Sequence, residues 1–171
     1  MVATGTINGI TGGTANGTTT AVVRTNSNTG YYMEISFFNN GTPHAMRGDS
    51  SLSQSIRNYA PASSTVPDYT FSTASTSAVF AYTVDATDPS DVDPSFVHNG
   101  AACDAGATPG GGANCWMGPS TSGFRIIDRN TAATAGATST INFRIHVPNN
   151  PNPSLVADTY TATATLTALN Q

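Results

Sequence analysis

Four aspartates crowd into one short stretch, Asp85-Ala-Thr-Asp88-Pro-Ser-Asp91-Val-Asp93. Carboxylates this close can surround a hard cation with oxygen, and Ca²⁺ is the metal such a set would take. The bend glycine and distal bidentate glutamate of an EF-hand loop are missing, and Asp-Pro and Ser-Asp pairs are also ordinary turn formers. The competing reading is therefore a structural loop. Trp116, with Tyr31, Tyr32, Tyr59 and Tyr69, would make a stacking platform for a sugar face, since amphipathic rings suit carbohydrate. The alternative is that Trp116 packs on a bridge between Cys103 and Cys115. Arg47-Gly48-Asp49 spells a short integrin-recognition tripeptide, although three residues recur by chance. His44, His98 and His146 stand in unrelated contexts, and no Gly-x-Ser-x-Gly elbow occurs. Paired carboxylates for glycoside hydrolysis are missing too, because Glu34 shares its inferred strand face with Tyr32, Ser36 and Phe38. The expectation is a protein without catalytic residues.

Composition narrows the rest. The 171 residues carry six Arg, no Lys and a single Glu, for a formal charge of −4. Without a basic patch there is no phosphate footprint, so nucleic acid is not an expected partner. Absence of Lys removes P-loop, Schiff-base and Ser/Lys chemistry and any Lys–Asn isopeptide crosslink. No apolar run approaches the roughly 20 residues of a membrane span. The only cysteines, Cys103 and Cys115, flank a Gly-rich stretch that closes easily, which predicts a disulfide. Such a bridge contributes about 3 kcal/mol by constraining the unfolded chain. Zinc would need two further ligands, and no histidine lies beside the pair. Met1 leads straight into Val-Ala-Thr-Gly-Thr, which predicts a mature or cloned segment of an exported protein.

The elements that would carry these residues are strands. Asn8-Gly9, Asn16-Gly17, Asn40-Gly41 and Asn99-Gly100 are candidate tight turns. Tyr31–Phe38 alternates Tyr31, Met33, Ile35 and Phe37 against Tyr32, Glu34, Ser36 and Phe38. Thr18–Thr25, Ala78–Asp85, Phe124–Asp128 and Thr138–Val147 also read as strands, the first with Ala21 and Val23 opposite Val22 and Arg24. Asp158–Leu169 sets Tyr160, Ala162, Ala164, Leu166 and Ala168 opposite a ladder from Thr159 to Thr167. One packed and one solvated face is the pattern of antiparallel sheets. Gln54–Tyr59 could hold a single helical turn. The Thr ladder could also bind ice, but that needs several flat stacked strands. The whole pattern predicts one all-β domain over residues 1–171, an antiparallel β-sandwich, immunoglobulin-like or jelly-roll-like, with about eight or nine strands. A long excursion over 97–122 contains the cysteine pair. Residues 2–10 would pair within their own sheet or add to the sheet edge of a neighbour.

Three stretches carry a family likeness. Thr18-Thr-Thr-Ala-Val-Val-Arg-Thr-Asn-Ser-Asn-Thr-Gly-Tyr-Tyr-Met-Glu-Ile35 resembles a pattern in secreted bacterial surface proteins of β-sandwich type. Asp158-Thr-Tyr-Thr-Ala-Thr-Ala-Thr-Leu-Thr-Ala168 is similar to the last strand of such domains and of pilin-like subunits. Asn99-Gly100 followed by Cys103, Cys115 and Trp116 fits the same group. The resemblance implies a non-catalytic extracellular or cell-surface component, of filament or adhesin type, that associates with itself or with other surface proteins. It carries no binding residues across. A polysaccharide-binding module using Trp116 and the tyrosines is the rival expectation, and a virion decoration protein is a third. The Asn16-Gly-Thr18 and Asn40-Gly-Thr42 acceptor patterns would matter only in a glycosylating host. No cofactor is expected beyond the possible calcium.

Overall fold

A computed structural model describes residues 1–39, 41–73, 76–106, 108–109 and 114–171. The turn expected at Asn40-Gly41 and the acceptor pattern beginning at Asn40 lie partly outside these residues, as does part of the loop between the cysteines. The fold is all-β. Its larger strands are β1 (Gly13–Thr25), β2 (Tyr31–Phe37), β3 (Met46–Gly48), β4 (Ser55–Asn58) and β5 (Val79–Ala86). After two single-turn 3-10 helices, Pro89–Asp91 and Pro94–Phe96, come β6 (Val97–His98), β7 (Thr108–Pro109), β8 (Phe124–Arg129), β9 (Ala133–Val147), β10 (Tyr160–Ala162) and β11 (Ala164–Asn170). That is more strands than the eight or nine expected.

The larger sheet has the order β1-β9-β5-β4-β3-β10, and a smaller one has the order β11-β2-β8. β1 and β9 form a long antiparallel ribbon, from Gly13 opposite Val147 to Thr25 opposite Ala133. The same two chain directions continue as β2 beside β8, with Tyr31 opposite Arg129. Gly30 sits at the fold between the two ribbons with φ +80, and a Cβ there would lie 1.8 Å from the Arg129 carbonyl oxygen. Only glycine satisfies both demands. The bend turns the apolar face of β2 toward that of β5, and Phe37 meets Phe80 edge-on at 5.9 Å and Tyr82 at 5.5 Å. Tyr31, Met33 and Ile35 join Phe80, Val84, Ile126, Ile127 and Ile141 in the same buried cluster.

Five expectations are corrected by the chain's long-range pairing. Gln54–Tyr59 is not a helical turn; Ser55–Asn58 is strand β4, because Met46 and Arg47 of β3 pair with it. β4 runs parallel to β5, so the larger sheet is mixed rather than antiparallel throughout. Asn16-Gly17 is no turn but lies mid-strand in β1, where Gly17 faces Phe143 across the ladder. The last strand is split at Thr163, pairing with β3 before the break and with β2 after it. Its threonine ladder therefore spans two sheets and forms no single flat array. Residues 2–10 form no strand within their own sheet, which corrects the pairing expected inside the chain; Asn8 makes an isolated bridge, to Gly12.

β5 was expected to be half-buried, yet seven of its eight residues are buried. Its outer face is covered by Tyr59, Phe71 and Trp116, which is what the segments 59–73 and 114–118 accomplish in this fold. Substituting Gly30→Ala is expected to cost about 3 kcal/mol, the sum of a left-handed backbone penalty and a backbone clash. Urea denaturation at neutral pH measures it, and a loss under about 0.5 kcal/mol would show that the corner is not tight.

Candidate functional site

The disulfide forms. Cys103 and Cys115 are bonded, with their Cα atoms 5.7 Å apart, and both side chains join the main core. Trp116 does not cover the bridge. It sits in a separate small cluster with Tyr59, Val79 and Ala81 on the outer face of β5. The backbone explains this: Trp116 pairs with Asp68 in both directions and Met117 pairs with Tyr82, which pins the indole against the sheet. Gly118 permits the approach, since a Cβ would lie 1.7 Å from the Tyr59 carbonyl oxygen. Phe71 meets the indole edge-on at 5.4 Å, and the Arg144 guanidinium lies 4.1 Å from its centre. The Arg144 Nε donates to Asn16 Oδ1 at 2.9 Å, fixing the cation over the ring.

This geometry removes the expected sugar platform. Trp116 and Tyr31 are each only 1% exposed, so neither offers a face to a ligand. Tyr31 and Tyr32 alternate on β2 and point to opposite sides of the sheet. Tyr32, half-buried, carries the Arg125 guanidinium 4.3 Å above its ring. Tyr59 donates its hydroxyl to Asp68 at 2.7 Å, and burial with this carboxylate pushes its ionisation up to about 12. Trp116, Tyr31 and Tyr59 are interior struts rather than a binding surface. The signal missed in the sequence is Asp68, whose carboxylate and backbone tie the loop to Tyr59, Ala62 and Trp116.

The four aspartates go four ways. Asp85 Oδ1 accepts the Ala86 amide at 2.8 Å. Asp88 caps the first 3-10 turn through Ser90, and Asp93 caps the second through Ser95. Asp91 is buried and pairs with Arg129 at 2.5 Å. Among the described residues no three histidine, cysteine or acidic side chains are grouped to hold a metal ion. The proposed calcium set is thus corrected to a turn-and-cap segment, because each carboxylate is used by the nearest backbone amide, hydroxyl or guanidinium.

Arg129 also donates to the carbonyls of Thr131 and Ala132 at 3.1 and 3.2 Å, so the pair clamps the corner to the first 3-10 turn. Desolvation raises the Asp91 pKa despite the opposing pull of Arg129. Nearby, Tyr31 Oη is buried with no hydrogen-bond partner. Burial first, then the Asp91 charge, push its ionisation up, and the Arg129 charge opposes them by less.

Arg47-Gly48-Asp49 is not a loop tip. Arg47 lies in β3 between Ser55 and Thr161, and Gly48 is buried beneath the Asp158 carboxylate. Asp158 receives the Ser50 and Ser51 amides, which hold its own pKa down. His98 is buried, accepts the Gly100 amide at 3.1 Å and packs on Tyr69. His146 meets Thr14 at 3.0 Å on the outer face. The three histidines remain apart in these surroundings, with His44 beside Asn58. A shallow depression of about 110 Å³ lies between Phe38, Arg47, Asp49 and Thr161.

Compared with known proteins, the chain matches no family model, no curated protein and no solved structure. No helix of the described residues is long and apolar enough to cross a membrane.

Trp116→Ala should lower stability by about 3 kcal/mol through the cavity it leaves, whereas Tyr32→Ala should cost under about 1 kcal/mol. Equal losses in thermal unfolding would contradict the assignment of the two rings. A second expectation concerns pH. A raised carboxyl pKa in the folded chain means that the Asp91 contribution is fully present below the unfolded value, about 3.9. It is lost as pH rises through the folded value. The Tm advantage of the native chain over Asp91→Asn should therefore shrink as pH rises from about 4. An advantage that grows over that range would mean that the Arg129 pairing outweighs burial.

Proposed function

We propose that this chain is an extracellular, non-enzymatic structural component, a sandwich-type surface or fibre subunit of pilin-like or adhesin-like character. The observation that carries the reading is the state of two of the edge strands of its larger sheets. β1 is a thirteen-residue edge strand and β11 a seven-residue one. Together they hold one charged residue, Arg24, and no proline. Proteins that stay monomeric guard such edges with charges, prolines or short strands. β11 is also open on its inner side. Ala164 and Ala168 are exposed and Leu166 is half-buried, although they lie opposite the buried Phe37, Met33 and Ile35.

The disulfide supports an oxidising compartment, and the polar, nearly uncharged exterior supports a role through contact rather than reaction. The glycan-binding alternative loses its expected contacts, Trp116 and Tyr31, to the interior. A decoration protein on a virion would use the same edges and is the remaining variant of the subunit reading.

Negative-stain microscopy and sedimentation of the purified chain over a wide concentration range test the reading. Regular polymers or concentration-dependent oligomers are expected. A chain that sediments as a monomer up to millimolar concentration would remove the subunit function.

A further inference from the structure

Four Asn-Gly pairs lie in the sequence, and the fold treats them differently. Such a pair can react with itself: the glycine nitrogen attacks the asparagine Cγ, a succinimide ring closes and ammonia leaves. Asn16 is held in the β1 ladder with its Oδ1 accepting from the Arg144 guanidinium. Asn99 stands instead at an exposed turn, and its surroundings supply what acyl transfer requires. The Gly100 amide donates to His98 Nδ1 at 3.1 Å, so the imidazole lone pair already engages the proton that the nucleophile must lose. Asn99 Oδ1 accepts the Ala101 and Ala102 amides at 2.9 and 3.0 Å, two donors placed where negative charge develops when Cγ is attacked.

The turn is held at its base. The Asn99 amide donates to the Ala102 carbonyl at 3.3 Å, and His98 bridges to Cys103, whose disulfide anchors the turn to the core. Tyr69 packs edge-on against the His98 ring at 5.0 Å, and a Cβ on Gly106 would lie 2.3 Å from the His98 carbonyl oxygen. The imidazole is thus buried and fixed, while Asn99 and Gly100 face solvent. Asn8 is a control within the same chain. Its Oδ1 accepts the Ile10 and Thr11 amides in the same two positions, but the residue before it is Ile7, which takes no proton.

We infer that Asn99-Gly100 is a self-modifying site, with His98 as its base. The Gly100 nitrogen bonds to Asn99 Cγ as its proton passes to His98 Nδ1, and the Asn99 oxygen takes the negative charge between the two amides. The imidazolium then returns the proton to Nδ2, the Cγ–Nδ2 bond breaks and ammonia departs. Water opens the succinimide at either carbonyl, leaving aspartate or isoaspartate, and nothing is oxidised or reduced. Aspartate adds a negative charge to the turn and keeps both amide bonds. Isoaspartate reroutes the backbone through the side-chain carbon and lengthens the path from His98 to Cys103. The reaction runs once per chain, needs no partner and stands apart from the subunit reading.

The native chain, held at neutral pH and digested with pepsin at low pH for tandem mass spectrometry, tests this. Conversion at Asn99 should run roughly a hundredfold faster than at Asn8. Unfolding in concentrated urea with the disulfide reduced should bring the two rates together. His98→Gln keeps an acceptor for the Gly100 amide without a base, and should slow Asn99 to the Asn8 rate while far-ultraviolet dichroism and the disulfide stay native. Equal rates at the two sites in the folded chain would overturn the inference, as would an Asn99 that reacts faster once the chain is unfolded. Undiminished conversion in a folded His98→Gln chain would overturn it too. Should that variant fail to fold, the comparison of Asn99 with Asn8, native and in urea, decides alone.

Discussion

The close approach of two backbone turns governs this molecule. The β1–β2 turn and the β8–β9 turn must lie against each other for the long ribbon to fold back on itself. Gly30 supplies the space and Arg129 the lock. The Arg129 carbonyl sits where a Gly30 side chain would be, and its guanidinium gathers the Thr131 and Ala132 carbonyls and the Asp91 carboxylate. The other end of the chain is tied to the same place, since the Gln171 amide donates to the Gly30 carbonyl and Thr25 Oγ1 to Asn170 Oδ1. Were this corner to open, the apolar faces of β2 and β5 would no longer meet. The chain of rings from Phe124 through Phe96, Tyr82 and Phe37 to Phe80 and Phe143 would then lose its continuity.

Stability with so few charges relies on polar pairs that cross strands. Along the outer face of the ribbon, Thr14 meets His146, Asn16 meets Arg144 and Thr18 meets Asn142. These are mostly neutral hydrogen bonds, and salt screens them little compared with surface ion pairs. The buried Asp91–Arg129 ion pair is placed at the corner, where it holds the first 3-10 turn to the β8–β9 connection. That division leaves the edge strands β1 and β11 nearly free of charge. A surface of this kind meets another protein without first having to strip water from many charges.

Much of the fold was legible because alternation reports burial directly. Tyr31, Met33, Ile35 and Phe37 on β2, and Ile141, Phe143, Ile145 and Val147 on β9, face inward as their spacing predicts. The disulfide followed from two cysteines in a short Gly-rich stretch. What could not be read was whatever depends on long-range pairing. Ser55–Asn58 has no strong alternation of its own and becomes a strand only because β3 and β5 flank it. Asn16-Gly17 carries a turn signal that β9 overrides by pairing across it. The rings fared worst, because residue type announces an aromatic surface but not which side of a sheet it faces. Tyr31 and Trp116 were drawn inside by β2 alternation and by the Asp68 bridge, and the aspartates were each claimed by an amide or a guanidinium close at hand.

β5 lies between the core and the lid of Tyr59, Phe71 and Trp116, flanked by β9 on one side and β4 on the other. Its backbone amides therefore have no route to solvent short of dismantling both layers, and deuterium would enter them at the rate of global opening. β11, bare on one edge and lightly covered on both faces, would exchange by local fraying. The molecule thus has a still centre and a restless margin, and the margin is the part that faces its surroundings.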